Sequence, residues 1–184
     1  MKILVFTEGT IIMHLLGKDV SREERVKQSE KAGIQGEERR LAYESNSPLP
    51  EVPYGDVYDL ENYVPVGNAV SKVQKWHEQG AEIHYLTSRR VKIEIDTITK
   101  VLNKYQFPET QNIHYRAQGQ DYKDIAEELV PDVLIEDDCE SIGGADEMTY
   151  THINPEIKQK IKSIPVKEFG GIDHLPDNLQ ELVK

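Results

Sequence analysis

The sequence is poor in cysteine and in basic residues, and it has no hydrophobic run long enough to cross a membrane. Cys139 is the only cysteine among 184 residues, so neither an intramolecular disulfide nor a cysteine zinc cluster can form, as is common in a reducing cytoplasm. Glu8 interrupts the apolar stretch at the N-terminus, and no small-residue cleavage site follows it. We therefore predict a cytoplasmic protein with neither a signal peptide nor a transmembrane span.

The shortage of positive charge limits the classes of partner. Lys and Arg number 22 against 33 Asp and Glu, which gives a net charge of −11. Nucleic acids and anionic membranes are bound mainly through basic surfaces, so we expect neither as a partner. A small phosphorylated or otherwise anionic ligand is compatible with this charge, because a local cluster of donors can outweigh the overall field.

The stretch KILVFTEGT at residues 2–10 is the feature around which the rest is interpreted. An apolar run from Ile3 to Phe6 ends abruptly in a turn that contains Gly9. This pattern predicts a strand buried on both faces of a parallel sheet. Ligands of open α/β sheets bind beyond the carboxyl ends of the strands, where Thr7 and Glu8 would lie. A buried strand followed by a turn that touches no ligand explains the pattern equally well.

Residues 13–66 have the composition of an insertion. A helix is expected to begin at the capping box formed by Ser21 and Glu24 and to end at Gly33, but it has few apolar residues to bury. Prolines and tyrosines then alternate up to Pro65, which indicates a loop-rich segment. We interpret 13–66 as a cap over a core made of residues 1–12 and 67–184. A surface excursion or a contact in a homo-oligomer is the alternative.

From Gly67 onward, predicted helices and strands alternate. Helices are expected around 70–80, 91–105 and 121–130, with Asp121 as N-cap of the third. Strands are expected at 83–86, 113–115, 133–135, 148–153 and 164–166, followed by a last helix at 177–183. This alternation predicts an α/β fold with a mainly parallel sheet.

Polar side chains follow several of the predicted strands. The first strand is followed by Thr7, Glu8 and Thr10, the strand at 83–86 by Thr87 and Ser88, and the strand at 133–135 by Glu136, Asp137 and Asp138. Lys123 opens a helix. Hydroxyls, turn amides and a lysine can hold a phosphate oxygen, and paired carboxylates can hold Mg²⁺. Taken singly, each feature also has an ordinary structural explanation, such as a helix cap or a solvated lysine.

In this order, the motifs resemble the haloacid dehalogenase-like superfamily, whose members are mostly phosphohydrolases with a Rossmann-like α/β core. The resemblance covers residues 1–12 and about 67–145. Its implications are a phosphate site at Thr87, Ser88 and Lys123, a Mg²⁺ site at Glu8, Asp137 and Asp138, and a cap at the position of the insertion. The family opens with a D-x-D-G-T turn, and here that turn reads Phe6-Thr7-Glu8-Gly9-Thr10.

The first motif departs from the family at its most important position. The first aspartate of that motif is the nucleophile that forms an aspartyl-phosphate, and Phe6 stands in its place. A phenyl ring can neither attack phosphorus nor bind a metal ion. The second aspartate, which acts as general acid and base in the family, is replaced by Glu8 and so keeps a carboxylate.

Three interpretations stay open, in this order of preference. In the first, the protein keeps a phosphate and Mg²⁺ pocket, is weak or inactive as a phosphatase, and acts by binding a ligand. In the second, it is a hydrolase in which Glu8 activates a metal-bound water. In the third, it is a scaffold or partner-binding protein whose acids only cap the next helix.

Three further residues lie near the predicted site. Arg89 and Arg90 follow the second strand, where one of them can reach a phosphate, but a solvated pair at a helix start is an equal alternative. Cys139 follows three acids, which disfavour a thiolate, so we expect a packed cysteine and not a nucleophile.

Overall fold

The computed structural model describes residues 1–31 and 51–184, and within them the chain forms a five-stranded parallel sheet. The strands lie in the spatial order β5-β4-β1-β6-β7. Their bounds are β1 Lys2–Phe6, β4 Glu82–Leu86, β5 Ile113–His114, β6 Val133–Asp137 and β7 Lys162–Val166. The predicted α/β fold with a parallel sheet is confirmed.

Helices connect the strands of the sheet. The helical segments are α1 at residues 22–31, α2 Ala69–Glu78, α3 Lys92–Lys104, α4 Tyr122–Leu129, α5 Thr149–His152 and α6 Pro155–Lys158. Asp121 is the N-cap of α4, as predicted, and the Asp124 carboxylate accepts a hydrogen bond from its backbone amide at 2.7 Å. In the part of the chain that the structure describes, no helix combines the length and the apolar character needed to cross a bilayer.

Strand β1 occupies the middle of the sheet and contacts the core on both sides. It pairs in parallel with β4 on one edge and with β6 on the other. Ile3 and Val5 pack into the larger hydrophobic cluster, which also contains Trp76, whereas Leu4 packs into a second cluster with Leu134. Side chains of a strand alternate between its faces, so β1 joins the two halves of the core and fixes the turn that follows it.

Two predicted elements differ in the structure. The strand expected at 148–153 is instead the short helix α5, because the Glu136 carboxylate accepts hydrogen bonds from the backbone amides of Thr149 and Tyr150 and so caps a helical turn. The helix expected at 177–183 is reduced to a 3₁₀ turn over Leu179–Glu181. Its Leu179 and Leu182 are buried in the larger cluster, so tertiary packing determines this segment.

The described part of the insertion begins and ends in a two-stranded antiparallel sheet that the sequence did not predict. Its strands are β2 Ile12–Met13 and β3 Val64–Pro65. The capping hydrogen bond from the Glu24 amide to the Ser21 hydroxyl is present at 3.2 Å, whereas the helix end expected at Gly33 lies outside the described residues. The division of the chain into core and cap stays a prediction.

Leu134 tests the core below the candidate site. Its side chain is fully buried in β6. We expect Leu134→Ala to lower the free energy of unfolding by about 3 kcal/mol, because it removes buried methyl groups and leaves a cavity. Ile93→Ala is the matched control, since Ile93 is 70% exposed, and should change stability by less than about 0.5 kcal/mol. Urea unfolding measures both, and equal effects would contradict the packing described here.

Candidate functional site

A cavity of about 490 Å³ lies where the carboxyl ends of β1, β4 and β6 meet. Glu8, Ser88, Lys123 and Asp137, which the sequence predicts as site residues, all line it. The described part of the insertion contributes to the same cavity. Its lining residues are His14, Ser29, Val57 and Tyr63. Segments far apart in the sequence therefore meet at one polar pocket.

The Glu8 carboxylate is held by donors from two strand ends. Its Oε1 accepts a hydrogen bond from the Thr87 hydroxyl at 2.6 Å, and the Arg89 Nε lies 3.4 Å from the same oxygen. Its Oε2 accepts from the Thr7 hydroxyl at 2.5 Å and from the Ser88 amide at 3.1 Å. Both carboxylate oxygens are thus engaged within the protein.

This arrangement changes the role of the predicted phosphate ligands. The Thr87 hydroxyl and the Ser88 amide are the donors expected to hold a phosphate, and both donate to Glu8 instead. Thr87 is also fully buried and does not line the cavity. The Glu8 carboxylate therefore occupies the Thr87 hydroxyl and the Ser88 amide, which leaves Lys123 and the Ser88 hydroxyl as the predicted phosphate ligands at the cavity.

The turn after β1 also holds Asp137 at the end of β6. The Thr10 hydroxyl donates to Asp137 Oδ2 at 2.9 Å, and the Cys139 amide donates to Oδ1 at 3.0 Å. Gly9 has a φ of 83°, and a Cβ at this position would lie 2.9 Å from Asp137 Oδ2. Only glycine fits this conformation and this spacing without strain. Burial raises the pKa of Asp137 to about 6, although the hydrogen bonds from Thr10 and Cys139 oppose the shift.

The three consecutive acids at the carboxyl end of β6 have different partners. Glu136 is buried and accepts the two amides that begin α5. Asp138 forms a 2.7 Å ion pair with Lys167 and accepts the Glu168 amide at 3.0 Å, and it does not line the cavity. Of these three acids, only Asp137 both lines the cavity and occupies a position that the sequence predicts as a metal ligand.

The wall of the cavity at Phe6 is aromatic and cationic. The Phe6 ring lies edge-on to Tyr122, with 5.1 Å between the ring centroids. The guanidinium carbon of Arg116 lies 3.7 Å from the centroid of the same Tyr122 ring. Lys123 and Arg89 also line the cavity, whereas Arg90 is exposed and does not. Position 6, at the end of β1, is therefore filled by a packed ring.

Another wall of the cavity is acidic. Glu168 lines it together with Cys139 and accepts hydrogen bonds from the Ser141 amide and hydroxyl, both at 2.7 Å. Burial raises the pKa of Glu168. Burial, followed by the neighbouring carboxylates, also raises the pKa of Cys139, which is the direction expected for a packed thiol that is not a nucleophile.

The residues present do not form a fitting Mg²⁺ site. Among residues 1–31 and 51–184, no group of three or more His, Cys, Asp or Glu side chains is arranged to hold a metal ion. The carboxylate oxygens of Glu8 and Asp137 accept hydrogen bonds from the protein, and Asp138 forms an ion pair with Lys167. A hard cation needs several free oxygen ligands, so the predicted magnesium site at these three acids stays a prediction without an assembled ligand set.

Comparison with known proteins gives a distant structural likeness. No family model matches the sequence, and no curated protein matches it significantly. The fold is similar to the crystal structure of a class C acid phosphatase from Bacillus anthracis with tungstate bound, at 12% sequence identity and a TM-score of 0.49. The alignment covers 92% of this chain and 67% of that one. Function is therefore argued from the site itself.

Sequence reasoning missed Arg116 and the cap formed by Glu136. Arg116 follows the two-residue strand β5 and belongs to no motif, so only the fold brings it next to Tyr122. Glu136 lies near the end of β6, where the sequence alone is also compatible with an exposed acid. Its buried carboxylate binds the amides at the start of α5, a helix that the sequence did not predict. The sequence predicts that one of Arg89 and Arg90 can reach the site. Arg89 lines the cavity and lies 3.4 Å from Glu8, whereas Arg90 does not line it.

Asp137 gives a pH-dependent prediction. Its pKa is raised from 3.8 to about 6, so the folded state binds the proton more tightly than the unfolded state. The resulting stabilisation is complete below about pH 4 and is lost as the pH rises through about 6. Asp137→Asn cannot titrate, so the free energy of unfolding of the wild type relative to this variant should fall by about 2–3 kcal/mol between about pH 4 and pH 7.5.

Asp138→Asn is the control for this experiment. Partial burial acts to raise the pKa of Asp138, but the Lys167 ammonium and the Glu168 amide outweigh it and leave the pKa lowered. The free energy of unfolding of the wild type relative to Asp138→Asn should therefore rise, and not fall, as the pH increases. Denaturant unfolding across the pH range measures both variants, and a flat difference for Asp137→Asn would contradict its buried environment.

Proposed function

We propose that this protein is a haloacid dehalogenase-like protein that binds a small anionic ligand in the cavity and does not hydrolyse phosphomonoesters through an aspartyl-phosphate. The observation that carries the proposal is the place of Phe6, which lines the cavity at the nucleophile position and packs against Tyr122. Covalent catalysis divides a difficult displacement into two easier steps, and without the carboxylate that route is closed.

The contacts of Glu8 count against its use as a general base. A base must accept a proton from water or substrate along a free lone pair within hydrogen-bond reach. The oxygens of Glu8 already accept from Thr7, Thr87 and Ser88, and Arg89 lies beside them. Three of the roughly four acceptor sites of a carboxylate are thus taken, and Arg89 lies near one of its oxygens, so the ligand-binding interpretation is preferred over the hydrolase interpretation.

The cavity itself supports a small ligand as the partner. Its volume of about 490 Å³ lies within the range of about 300–1,000 Å³ that is usual for small-molecule sites. Lys123, Arg89 and Arg116 line this pocket. They share the lining with more numerous carboxylates, those of Glu8, Asp121, Glu136, Asp137, Glu147 and Glu168. An anion would therefore bind close to the three cations, where a local cluster of donors can outweigh the surrounding negative charge. A cytoplasmic location, expected from the single cysteine, is part of the same proposal.

A phosphatase screen tests the catalytic half of this proposal. With millimolar Mg²⁺ and a panel of phosphomonoesters, turnover by the wild type should be weak or absent, because position 6 offers no carboxylate to form an aspartyl-phosphate. A known phosphatase run in parallel validates the assay. Brisk turnover that disappears in Glu8→Gln or Asp137→Asn would support the metal-activated water interpretation and overturn this one.

A metal titration of Phe6→Asp tests the pocket itself. The substitution places a carboxylate in the cavity that Glu8 and Asp137 line, so millimolar Mg²⁺ should raise the melting temperature of this variant by about 2 °C or more. Phe6→Asn is the matched control, since it loses the same ring but gains no charge, and it should not respond. An equal response of the wild type would show that the native residues already hold the ion.

A further inference from the structure

Within residues 1–31 and 51–184, Arg116 is a partly buried cation with no carboxylate at hydrogen-bond distance. Its side chain is 17% exposed, and its Nε is buried without a hydrogen-bond partner among these residues. The ion pair with Asp121 spans 3.8 Å, which is beyond hydrogen-bond distance, and the Asp121 side chain is 71% exposed. Buried charges in proteins are normally paired and hydrogen-bonded, because desolvation is costly. The state of Arg116 is therefore incomplete without a further partner.

The neighbours of Arg116 add positive charge. The Tyr122 ring covers one face of the guanidinium at 3.7 Å and holds the group in place within the cavity wall. Lys123 and Arg89 line the same cavity, but Arg89 is engaged by Glu8 at 3.4 Å. Burial lowers the pKa of Arg116, and the charge of Arg90 acts in the same direction. An anion bound here would relieve both effects.

We propose that Arg116 binds the oxyanion of the ligand through the terminal N–H groups of its guanidinium, with the Tyr122 ring behind it and Lys123 in the lining of the same cavity. This inference rests on the proposed function and specifies its site. The predicted phosphate donors at Thr87 and Ser88 are used by Glu8, so the anion lies towards Arg116 and not in the turn after β4. A guanidinium presents parallel N–H groups that match a phosphate or a carboxylate, which a lysine cannot do.

The other walls specify the remainder of the ligand. Asp137 and Glu168 line the cavity. When ionised, their carboxylates accept hydrogen bonds and cannot donate them. They disfavour a polyanion and favour hydroxyl or amino groups on the part of the ligand that faces them. The chemical class is therefore a small molecule with one phosphate or carboxylate group and hydrogen-bond donors elsewhere.

Calorimetric titration with inorganic phosphate and with lactate, at constant ionic strength, tests the site. Arg116→Gln should weaken binding of the preferred anion by about 10-fold to 100-fold, because it removes charge-assisted hydrogen bonds. Arg116→Lys should fall between the wild type and Arg116→Gln, since it keeps the charge but loses the planar pair of donors. Lys100→Gln is the control for the loss of one positive charge, because Lys100 is exposed on α3 and outside the cavity lining, and it should bind like the wild type.

The outcomes separate this inference from the proposed function. Circular dichroism and the melting temperature confirm that each variant is folded. Wild-type affinity in Arg116→Gln, together with loss in Lys123→Gln, would overturn the role of Arg116 and leave an anion-binding protein. Equal losses in Lys100→Gln and Arg116→Gln would reduce the effect to a general field and also overturn it. Absence of anion binding in the wild type would overturn both proposals. A preference for phosphate or for lactate identifies the oxyanion.

Discussion

The hydrogen bonds to the Glu8 carboxylate are the interaction on which the rest of the site depends. They join the turn after β1 to the turn after β4 through Thr7, Thr87 and Ser88. A carboxylate that accepts several donors is stabilised in place and fixes the groups that donate to it. Because these donors would otherwise be available to a ligand, the same contacts decide which part of the cavity is left for an anion.

The aromatic ring at position 6 and the engagement of Glu8 are physically related. A carboxylate at that position would stand near Glu8, and the two like charges would disfavour each other. Phe6 carries no charge, and its ring packs on Tyr122. The Glu8 carboxylate is satisfied by hydroxyls, an amide and the nearby Arg89 guanidinium.

The architecture was predictable because its signals are local. The apolar run of β1, the helical spacing before Gly80 and the acids after β6 each follow from a few consecutive residues, and all three elements are present. The misassigned segment at 148–153 failed for the opposite reason. Its helix α5 depends on hydrogen bonds to Glu136, which is more than ten residues away, so no local pattern could show it.

The site was predictable only in part. Glu8, Ser88, Lys123 and Asp137, which the motifs single out, all line one cavity. The motifs could not show that the donors of Thr87 and Ser88 would bind Glu8 instead of a ligand, because this depends on side-chain directions across β1 and β4. Arg116 lies on a loop without a motif, and its place over Tyr122 follows from the fold alone.

The central place of β1 also determines how the site moves. Its backbone is hydrogen-bonded to β4 and β6, and Ile3, Leu4 and Val5 are buried. Amides in such a strand exchange with solvent only during the largest opening fluctuations of a protein. The turn that carries Glu8 and Gly9 follows directly on this buried and paired strand, so the floor of the cavity is anchored to the part of the fold that we expect to open last.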